Sequence, residues 1–237
     1  MFLTRFRFNT ARRGARRLLT SPQSLHAAVM ASFAEKPDHQ GGGPRVLWRL
    51  DHQSPSEVLL YVVSPDRPDL THLVEQAGWP TTGGWQTKPY APFLARLAAD
   101  DTWAFRLTAN PVHSIRRHAA EATKRTVHVT PRHQLDWLLK RQTDAGFAIV
   151  EKPEPRPDGL DAAWHEVVVH NRSDLAFRKR DESVTRAHKV TLTRVTFDGR
   201  LRVLDPDALR RTLTSGLGKA KAYGCGLMTL APAERGR

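Results

Sequence analysis

The order of strand-like and helix-like segments is the feature that most constrains the fold of this chain. Residues 3–9 (LTRFRFN) alternate between apolar and polar side chains, which is the period of a half-buried strand. We expect a helix of about four turns from Ser21-Pro22, because serine suits the N-cap and proline the first helical position. Two strands, a helix and an edge strand are then expected, at residues 45–51, 57–64, 69–79 and 85–93. This order, β-α-β-β-α-β, is that of the ferredoxin-like arrangement.

The second half of the chain repeats this order. Residues 102–111 (TWAFRLTANP) echo residues 3–9, since both segments alternate around a central Phe-Arg and both precede a basic stretch. The patterns of a helix, three strands, a short helix and a last strand follow, at residues 131–146, 147–151, 164–171, 188–197, 205–216 and 227–232. Inserted residues around 172–186 interrupt this order. A repeated order of this kind indicates a duplicated unit.

We therefore predict an α+β chain of two tandem ferredoxin-like (β-α-β-β-α-β) domains with a glycine-rich loop near the C-terminus. The first domain, residues 1–97, carries a histidine helix. The second, residues 98–237, carries a basic hairpin insertion and the glycine-rich loop. The alternative is one mixed α+β domain without a repeat.

The charge of the chain indicates a polyanionic partner. The chain has 37 Lys and Arg against 24 Asp and Glu, which gives a net charge of +13 and a pI near 10.7. An excess of this size favours nucleic acid over an inert basic surface. Three dense clusters are candidates for RNA backbone contacts: Arg12, Arg13, Arg16 and Arg17; Arg116, Arg117, Lys124 and Arg125; and Arg178, Lys179, Arg180, Arg186 and Lys189.

Cysteine and histidine usage excludes several other classes of protein. The single cysteine, Cys225, allows no intramolecular disulfide and no cysteine metal site, and we expect a reducing, cytoplasmic location. Most of the 11 histidines have no helical ligand spacing and no carboxylate cluster nearby, so we expect no metal and no cofactor. No apolar run reaches the roughly 20 residues of a membrane helix, so we expect no membrane partner.

The closing stretch SGLGKAKAYGCGLMTLAP, residues 215–232, is unusually rich in glycine. Its two G-x-G pairs flank KAKAY and comprise Gly216 and Gly218, then Gly224 and Gly226. The order helix, loop, strand fits neither the P-loop nor the dinucleotide fingerprint. Glycine amides can approach a phosphate chain closely, and Lys219 and Lys221 would add charge. The alternative is a bulged start of the last strand that requires positive φ angles.

His26 lies in the first turns of the predicted helix, directly after a basic segment. A histidine can take up or release a proton near neutral pH. By its position alone, His26 is also explained as an ordinary half-buried histidine on a helix.

Three segments together resemble the CRISPR repeat-processing endoribonucleases of the CasE branch, the type I-E enzymes of the Cascade complex. The segments are the opening MFLTRFRFNTARRGARRLLTSPQSLHAAVMASF, with His26 in its Leu-His pair, the strand RVLWRLD, and the close GLGKAKAYGCGLMTLAP. The resemblance spans the whole chain. The glycine motif and the LWR strand are its specific parts, whereas His26 alone is not specific.

The resemblance implies two ferredoxin-like domains and metal-independent cleavage at the base of the repeat RNA hairpin. In this reaction the ribose 2′-OH attacks the adjacent phosphate and leaves a 2′,3′-cyclic phosphate and a 5′-OH. His26 would act as base or acid, and Lys219, Lys221 or the amides of the glycine loop would stabilise the developing charge. The partners implied are precursor and mature CRISPR RNA and other Cascade subunits.

One position departs from the family. Some members have a tyrosine three residues before the histidine, where this chain has Gln23. Glutamine donates a hydrogen bond but cannot take a proton at neutral pH. The assisting role is then electrostatic, or it belongs to Ser24, Arg17 or a lysine, or the enzyme is slow. A non-cleaving RNA-binding subunit of a ribonucleoprotein is the alternative function.

Overall fold

The computed structural model describes residues 1–35, 43–79, 84–115, 124–153, 164–181 and 184–233. The first part of the chain contains β1 (Phe2–Phe8), α1 (Arg13–Thr20), α2 (Pro22–Met30), β2 (Leu47–Ser54), β3 (Glu57–Ser64), α3 (Thr71–Ala77), β4 (Trp85–Pro89) and α4 (Ala91–Ala95). The second part contains β5 (Thr102–Ala109), β6 (Val112–Ile115), β7 (Lys124–Val127), α5 (Pro131–Gln142), β8 (Phe147–Ile149), β9 (Val167–Asp181), β10 (Val184–Val203), α6 (Pro206–Ser215) and β11 (Met228–Pro232). A 3-10 helix, Lys221–Tyr223, precedes β11.

The first sheet is antiparallel and has the strand order β2-β3-β1-β4. The alternation that predicts β1 is confirmed, because Phe6 and Phe8 are buried while Arg5 and Arg7 are exposed. Phe6 lies opposite Leu60 of β3. Strand β4 lies at the edge of the sheet, as its proline content predicts.

The connection from β1 to β2 contains two helices where the sequence pattern predicts one. The basic segment before Ser21 forms α1, and α2 ends at Met30. Ser21 ends the first helix and caps the second, since its hydroxyl oxygen accepts a hydrogen bond from the backbone N–H of Ser24 at 3.2 Å. The predicted cap is therefore confirmed. The predicted helix is too long, and α1 is an element that the pattern did not predict.

The second sheet has the strand order β11-β5-β10-β8, and β9 pairs with the long strand β10. Strands β9 and β10 are antiparallel, with Arg178 opposite Lys189 and Lys179 opposite His188. A long hairpin therefore lies where the insertion is predicted, and its strands start earlier and end later than the predicted residues. Strands β6 and β7 form a separate two-stranded sheet.

The chain forms two compact units. One contains Met1–Leu97, Arg210–Leu217 and Lys221–Leu227; the other contains Ala98–Leu209, Gly218–Ala220 and Met228–Arg237. The predicted boundary at residue 97 assigns every later residue to the second domain. In the structure, residues 210–217 and 221–227 instead belong to the first unit. Within the first unit, the Arg210 guanidinium donates hydrogen bonds to the carbonyl oxygens of Leu94 at 2.8 Å and Leu97 at 2.7 Å. No described helix is long and apolar enough to cross a membrane.

Candidate functional site

The helix that carries His26 lies beside the 3-10 helix Lys221–Tyr223 within the first unit. His26 is half-buried, and its Nδ1 atom is buried. The flanking residues Leu25 and Val29 are packed in the core and fix the orientation of the helix. The histidine helix and one part of the glycine-rich loop are thus neighbours, although they are almost 200 positions apart in the sequence.

Gln23 and Ser24 lie in the first turn of this helix. Gln23 is half-buried. The Ser24 hydroxyl donates to the Ser21 hydroxyl oxygen at 2.9 Å, so Ser24 is already used in the helix cap. Arg17, the other side chain considered as a substitute for tyrosine, is exposed on α1.

Three consecutive residues of β2 hold the glycine-rich loop. A Cβ atom on Gly216 would lie 2.7 Å from Leu47 Cδ2, and one on Gly224 would lie 2.6 Å from Trp48 Cζ3. Arg49 donates a hydrogen bond from Nη1 to the carbonyl oxygen of Leu227 at 3.2 Å. The two most specific sequence motifs, the LWR strand and the glycine loop, are therefore parts of one packed structure.

Arg49 is itself fixed by a buried ion pair. Its Nε and Nη2 atoms donate to the two carboxylate oxygens of Asp51 at 2.6 and 3.0 Å. The Arg49 side chain is 2% exposed and that of Asp51 is 7% exposed. A buried pair with this two-point geometry holds its donor in one orientation. Asp51 therefore fixes the direction in which Arg49 donates its hydrogen bond to the Leu227 carbonyl oxygen.

The glycines of the loop adopt conformations that other residues rarely adopt. The φ angles of Gly216, Gly218, Gly224 and Gly226 are +77°, +84°, +77° and +91°. Gly224 and Gly226 are buried, whereas Gly216 and Gly218 are partly exposed. The backbone N–H of Leu217 donates to the carbonyl oxygen of Gly226 at 2.9 Å and closes the loop on itself. The four glycines therefore have the positive φ angles that the alternative interpretation requires.

The two lysines of the loop belong to different units. Lys221 is half-buried in the 3-10 helix of the first unit, next to the helix of His26. Lys219 is exposed and belongs to the second unit. There it lines a pocket with Asn110, Trp137 and Arg141, residues that sequence reasoning did not single out.

The first basic cluster divides into a structural and an exposed part. The Arg12 guanidinium donates to the carbonyl oxygens of Val74 at 3.1 Å and Gly78 at 3.2 Å, and also to that of Glu75. Because these carbonyls belong to the C-terminal end of α3, Arg12 caps that helix. The other arginines of the cluster are exposed, namely Arg13, Arg16 and Arg17.

The other two clusters are described only in part. Arg116 and Arg117 lie outside the described residues, and Lys124 and Arg125 lie on β7. The third cluster lies on the long hairpin, with Arg178, Lys179 and Arg180 on β9 and Arg186 and Lys189 on β10. The backbone of the hairpin therefore carries five basic residues on its two paired strands.

Charged side chains that sequence reasoning missed lie across three strands of the second sheet. Arg106 donates two hydrogen bonds to Asp198, at 2.7 and 2.6 Å, and His170 Nε2 lies 3.0 Å from the same carboxylate. Burial raises the pKa of Asp198, but hydrogen bonds and positive charge from Arg106 and His170 outweigh burial and hold this pKa below its usual value. The carboxylate is therefore ionised and keeps Arg106 in place. Within the described ranges, no three histidine, cysteine, aspartate or glutamate residues are grouped as metal ligands would be.

Comparisons with known proteins identify the family. A family model described as CRISPR associated protein matches residues 1–232. The CRISPR-associated endoribonuclease Cse3 of Thermus thermophilus is 31% identical over 235 residues, which cover 98% of this chain and 100% of that protein. The chain belongs to the Cse3 family of CRISPR-associated endoribonucleases. The resemblance to the CasE branch is thereby confirmed.

Solved structures of Cse3 show the same fold. A structure of Cse3 bound to a 19-nucleotide RNA matches with a TM-score of 0.73 at 30% identity, over 98% of this chain and 100% of that one. A structure of Thermus thermophilus Cse3 with an RNA that represents a pre-cleavage complex matches with a TM-score of 0.71 at 30% identity, over 98% of each chain. The mixed α/β fold with antiparallel sheets is thus that of Cse3.

Proposed function

We propose that this chain cleaves precursor CRISPR RNA at the base of the repeat hairpin without a metal ion. The observation that carries the proposal is the placement of the His26 helix beside the 3-10 helix Lys221–Tyr223. This placement supports a role for His26 in proton transfer next to the glycine-rich loop. The relative Cse3 is named an endoribonuclease and has a structure with a pre-cleavage RNA.

The chemistry needs a proton acceptor, a proton donor and positive charge. The 2′-oxygen forms a bond to the adjacent phosphorus as its proton leaves, and the bond from phosphorus to the 5′-oxygen breaks as that oxygen gains a proton. His26 serves as the base or the acid. Lys221, in the 3-10 helix beside the His26 helix, stabilises the charge that develops on the phosphate oxygens. The products are a 2′,3′-cyclic phosphate and a 5′-OH.

Gln23 contributes a hydrogen bond rather than a proton transfer. Its amide donates but has no titration near neutral pH. Since Ser24 is used in the helix cap, Gln23 is the better candidate to orient the phosphate or the His26 ring. A chain that acts once on each RNA and keeps its product tolerates the slower rate that this substitution implies.

RNA binding follows from the exposed basic residues. We assign backbone contacts to Arg13, Arg16 and Arg17 on α1 and to the β9–β10 hairpin, and include the second cluster by charge alone. Gly216 and Gly218 are the partly exposed glycines of the loop and contribute backbone amides. Recognition of an A-form stem then depends mainly on shape and phosphate positions.

Two further proposals complete this function. Both sheets have the order expected for ferredoxin-like units, which supports two such domains, 1–97 and 98–237, with residues 210–217 and 221–227 packed in the first unit. The chain retains its cleaved RNA as a subunit of Cascade in the cytoplasm. This last proposal extends the resemblance of the chain to the type I-E enzymes.

A cleavage assay tests the proposal. Labelled repeat RNA is incubated with excess protein in EDTA, beside an RNA with a single 2′-deoxy substitution at the cut site. The expected result is one cut in EDTA, a product that carries a cyclic phosphate, and no cut in the deoxy RNA. Binding without cutting in both RNAs would overturn the proposal and favour the non-cleaving RNA-binding subunit. A cut of the deoxy RNA would overturn the proposed 2′-OH attack.

A further inference from the structure

A polar pocket lies within the second unit. Asn110 follows β5, His113 lies on β6, and Trp137 and Arg141 lie on α5. Gly218 and Lys219 of the glycine-rich loop complete the lining. All of these residues belong to one compact unit.

The pocket holds two cations in place. A Cβ atom on Gly218 would lie 2.9 Å from Trp137 Cζ2, and the φ angle of Gly218 is +84°, so only glycine lets the backbone approach this ring. The next residue, Lys219, is thereby held at the pocket. The Arg141 guanidinium lies over the Trp137 ring, 4.5 Å from its centre, and donates to the Trp137 carbonyl oxygen at 2.8 Å.

The pocket also contains polar atoms that lack a partner. Asn110 is 7% exposed, and its Oδ1 atom has no hydrogen-bond partner among the described residues. Nδ1 of His113 is likewise buried and without a partner in the described part of the chain. Buried polar atoms in folded proteins are usually hydrogen-bonded, because an unpaired one no longer has water as a partner. The amide oxygen of Asn110 can therefore accept a hydrogen bond from a ligand.

We propose that this pocket binds one unpaired nucleotide of the RNA substrate. Its phosphate contacts Lys219 and Arg141, and a hydrogen-bond donor of the same nucleotide reaches Asn110 Oδ1. A nucleotide fits because it offers a phosphate to the two cations and an N–H or O–H group to the amide oxygen. The donor is a base amine or the ribose 2′-OH. The proposal rests on the proposed function, since it deepens RNA recognition by the same chain.

The first experiment measures binding and cleavage separately. Equilibrium binding of the full-length protein uses repeat RNA with a 2′-deoxy substitution at the cut site, and cleavage uses the all-ribose RNA under saturating, single-turnover conditions. Arg141→Ala is expected to raise the Kd about tenfold, as expected for the loss of a charged hydrogen bond, and to leave the saturating rate unchanged. Arg132→Ala, on an exposed position of the same helix, is the matched control and should leave both values unchanged.

The second experiment identifies the donor. Single 2′-deoxy substitutions and single bases without exocyclic amines are introduced along the RNA. We expect one position, of one of the two kinds, to weaken wild-type binding and to have no effect in Asn110→Ala. A ribose position identifies the 2′-OH as the donor, and a base position identifies the amine. Lys219→Ala, a change at an exposed residue, gives a second binding measurement if Asn110→Ala does not fold.

The outcomes separate this proposal from the proposed function. The proposed nucleotide pocket alone is overturned by one combination of results. In it, the wild type cuts the RNA, folded Arg141→Ala and Lys219→Ala bind the RNA with the wild-type Kd, and no RNA position is coupled to Asn110. In the opposite case, the wild type does not cut the RNA, but one nucleotide is coupled to Asn110 in the binding measurements. This result supports the pocket and overturns the proposed cleavage.

Discussion

The two sheets have the same strand order but differ in the segments that connect their strands. In the first sheet, β1 and β2 are joined through α1 and α2, and the second of these helices carries His26. In the second sheet, the corresponding connection from β5 to β8 contains the hairpin β6–β7 and helix α5, and β9 is inserted before β10. Two sheets of the same strand order thus carry different connecting segments, which we assign to different steps of RNA processing. In the proposed function, the first unit supplies the proton-transfer group, and the second supplies basic strands and a pocket for RNA.

The ion pairs of the two units show a similar difference. Arg49 and Asp51 of the first unit are buried and also hold the glycine-rich loop. Arg202 and Asp100 of the second unit are as close, at 2.6 Å, but their side chains are 50% and 78% exposed. The two ion pairs therefore have equal N–O distances but differ in interaction energy, because water screens the exposed pair and not the buried one.

The largest effect is expected from His26→Ala. Removal of a general acid or base typically lowers a reaction rate by about 10²- to 10⁴-fold. We expect a reduction in this range for the single-turnover cleavage rate. The matched control is His52→Ala, an exposed histidine of the same unit, which should cleave at the wild-type rate. An equal reduction in both variants would assign the effect to the fold rather than to the reaction.

The next largest effect is expected from Arg49→Ala. This change leaves Asp51 buried without its main partner and should lower the free energy of unfolding by about 3–5 kcal/mol. Arg202→Ala should lower it by less than about 1 kcal/mol. Urea unfolding followed by circular dichroism measures both. Similar decreases in the two variants would contradict the difference drawn between the buried and the exposed pair.

A smaller effect is expected from Gly224→Ala. The new Cβ would meet the Trp48 ring, and the φ angle of +77° is unfavourable for alanine, so we expect a decrease of about 1–3 kcal/mol in unfolding free energy. Ala220→Gly is the control, for which we expect an increase in the unfolding free energy. Ala220 has a φ angle of +62°, and glycine there should stabilise the protein by less than about 1 kcal/mol. Thermal unfolding measures both variants, and a shift of Tm in the same direction for both would contradict this account of the loop.

The smallest effect is expected from His128 of the second unit. Burial lowers the pKa of His128 from 6.5, and the positive charges of His113, His133, Lys140 and Arg141 lower it further. A lowered pKa means that stability present above pH 6.5 is lost as the pH falls through the folded-state value. His128→Gln should therefore show a smaller fall in Tm between about pH 7 and pH 5 than the wild type. His52→Gln should show the wild-type fall, and an unchanged slope in both would reject the assignment to His128.

Local patterns predicted much of the fold because they depend on neighbouring residues. The alternation in β1, the edge position of β4 and the Ser21 cap could all be predicted in this way. Helix α1 was missed because its charges were interpreted as a basic segment, although Ala15 and Leu18, three residues apart, form a buried face. The hydrogen bond from Arg49 to Leu227 and the pocket around Lys219 join segments that are distant in the sequence, so no local pattern indicates them.

The division of tasks between the two units is tested most directly by measuring Kd and saturating cleavage rate on the same repeat RNA. The variants are His26→Ala and the triple hairpin variant Arg178→Gln, Lys179→Gln, Arg180→Gln. We expect His26→Ala to lower only the rate. The hairpin variant should raise only the Kd, with a salt dependence that becomes shallower in proportion to the number of phosphates it no longer neutralises. A hairpin variant that binds normally but does not cut at saturation, or a His26→Ala variant that cuts at the wild-type rate, would contradict the account.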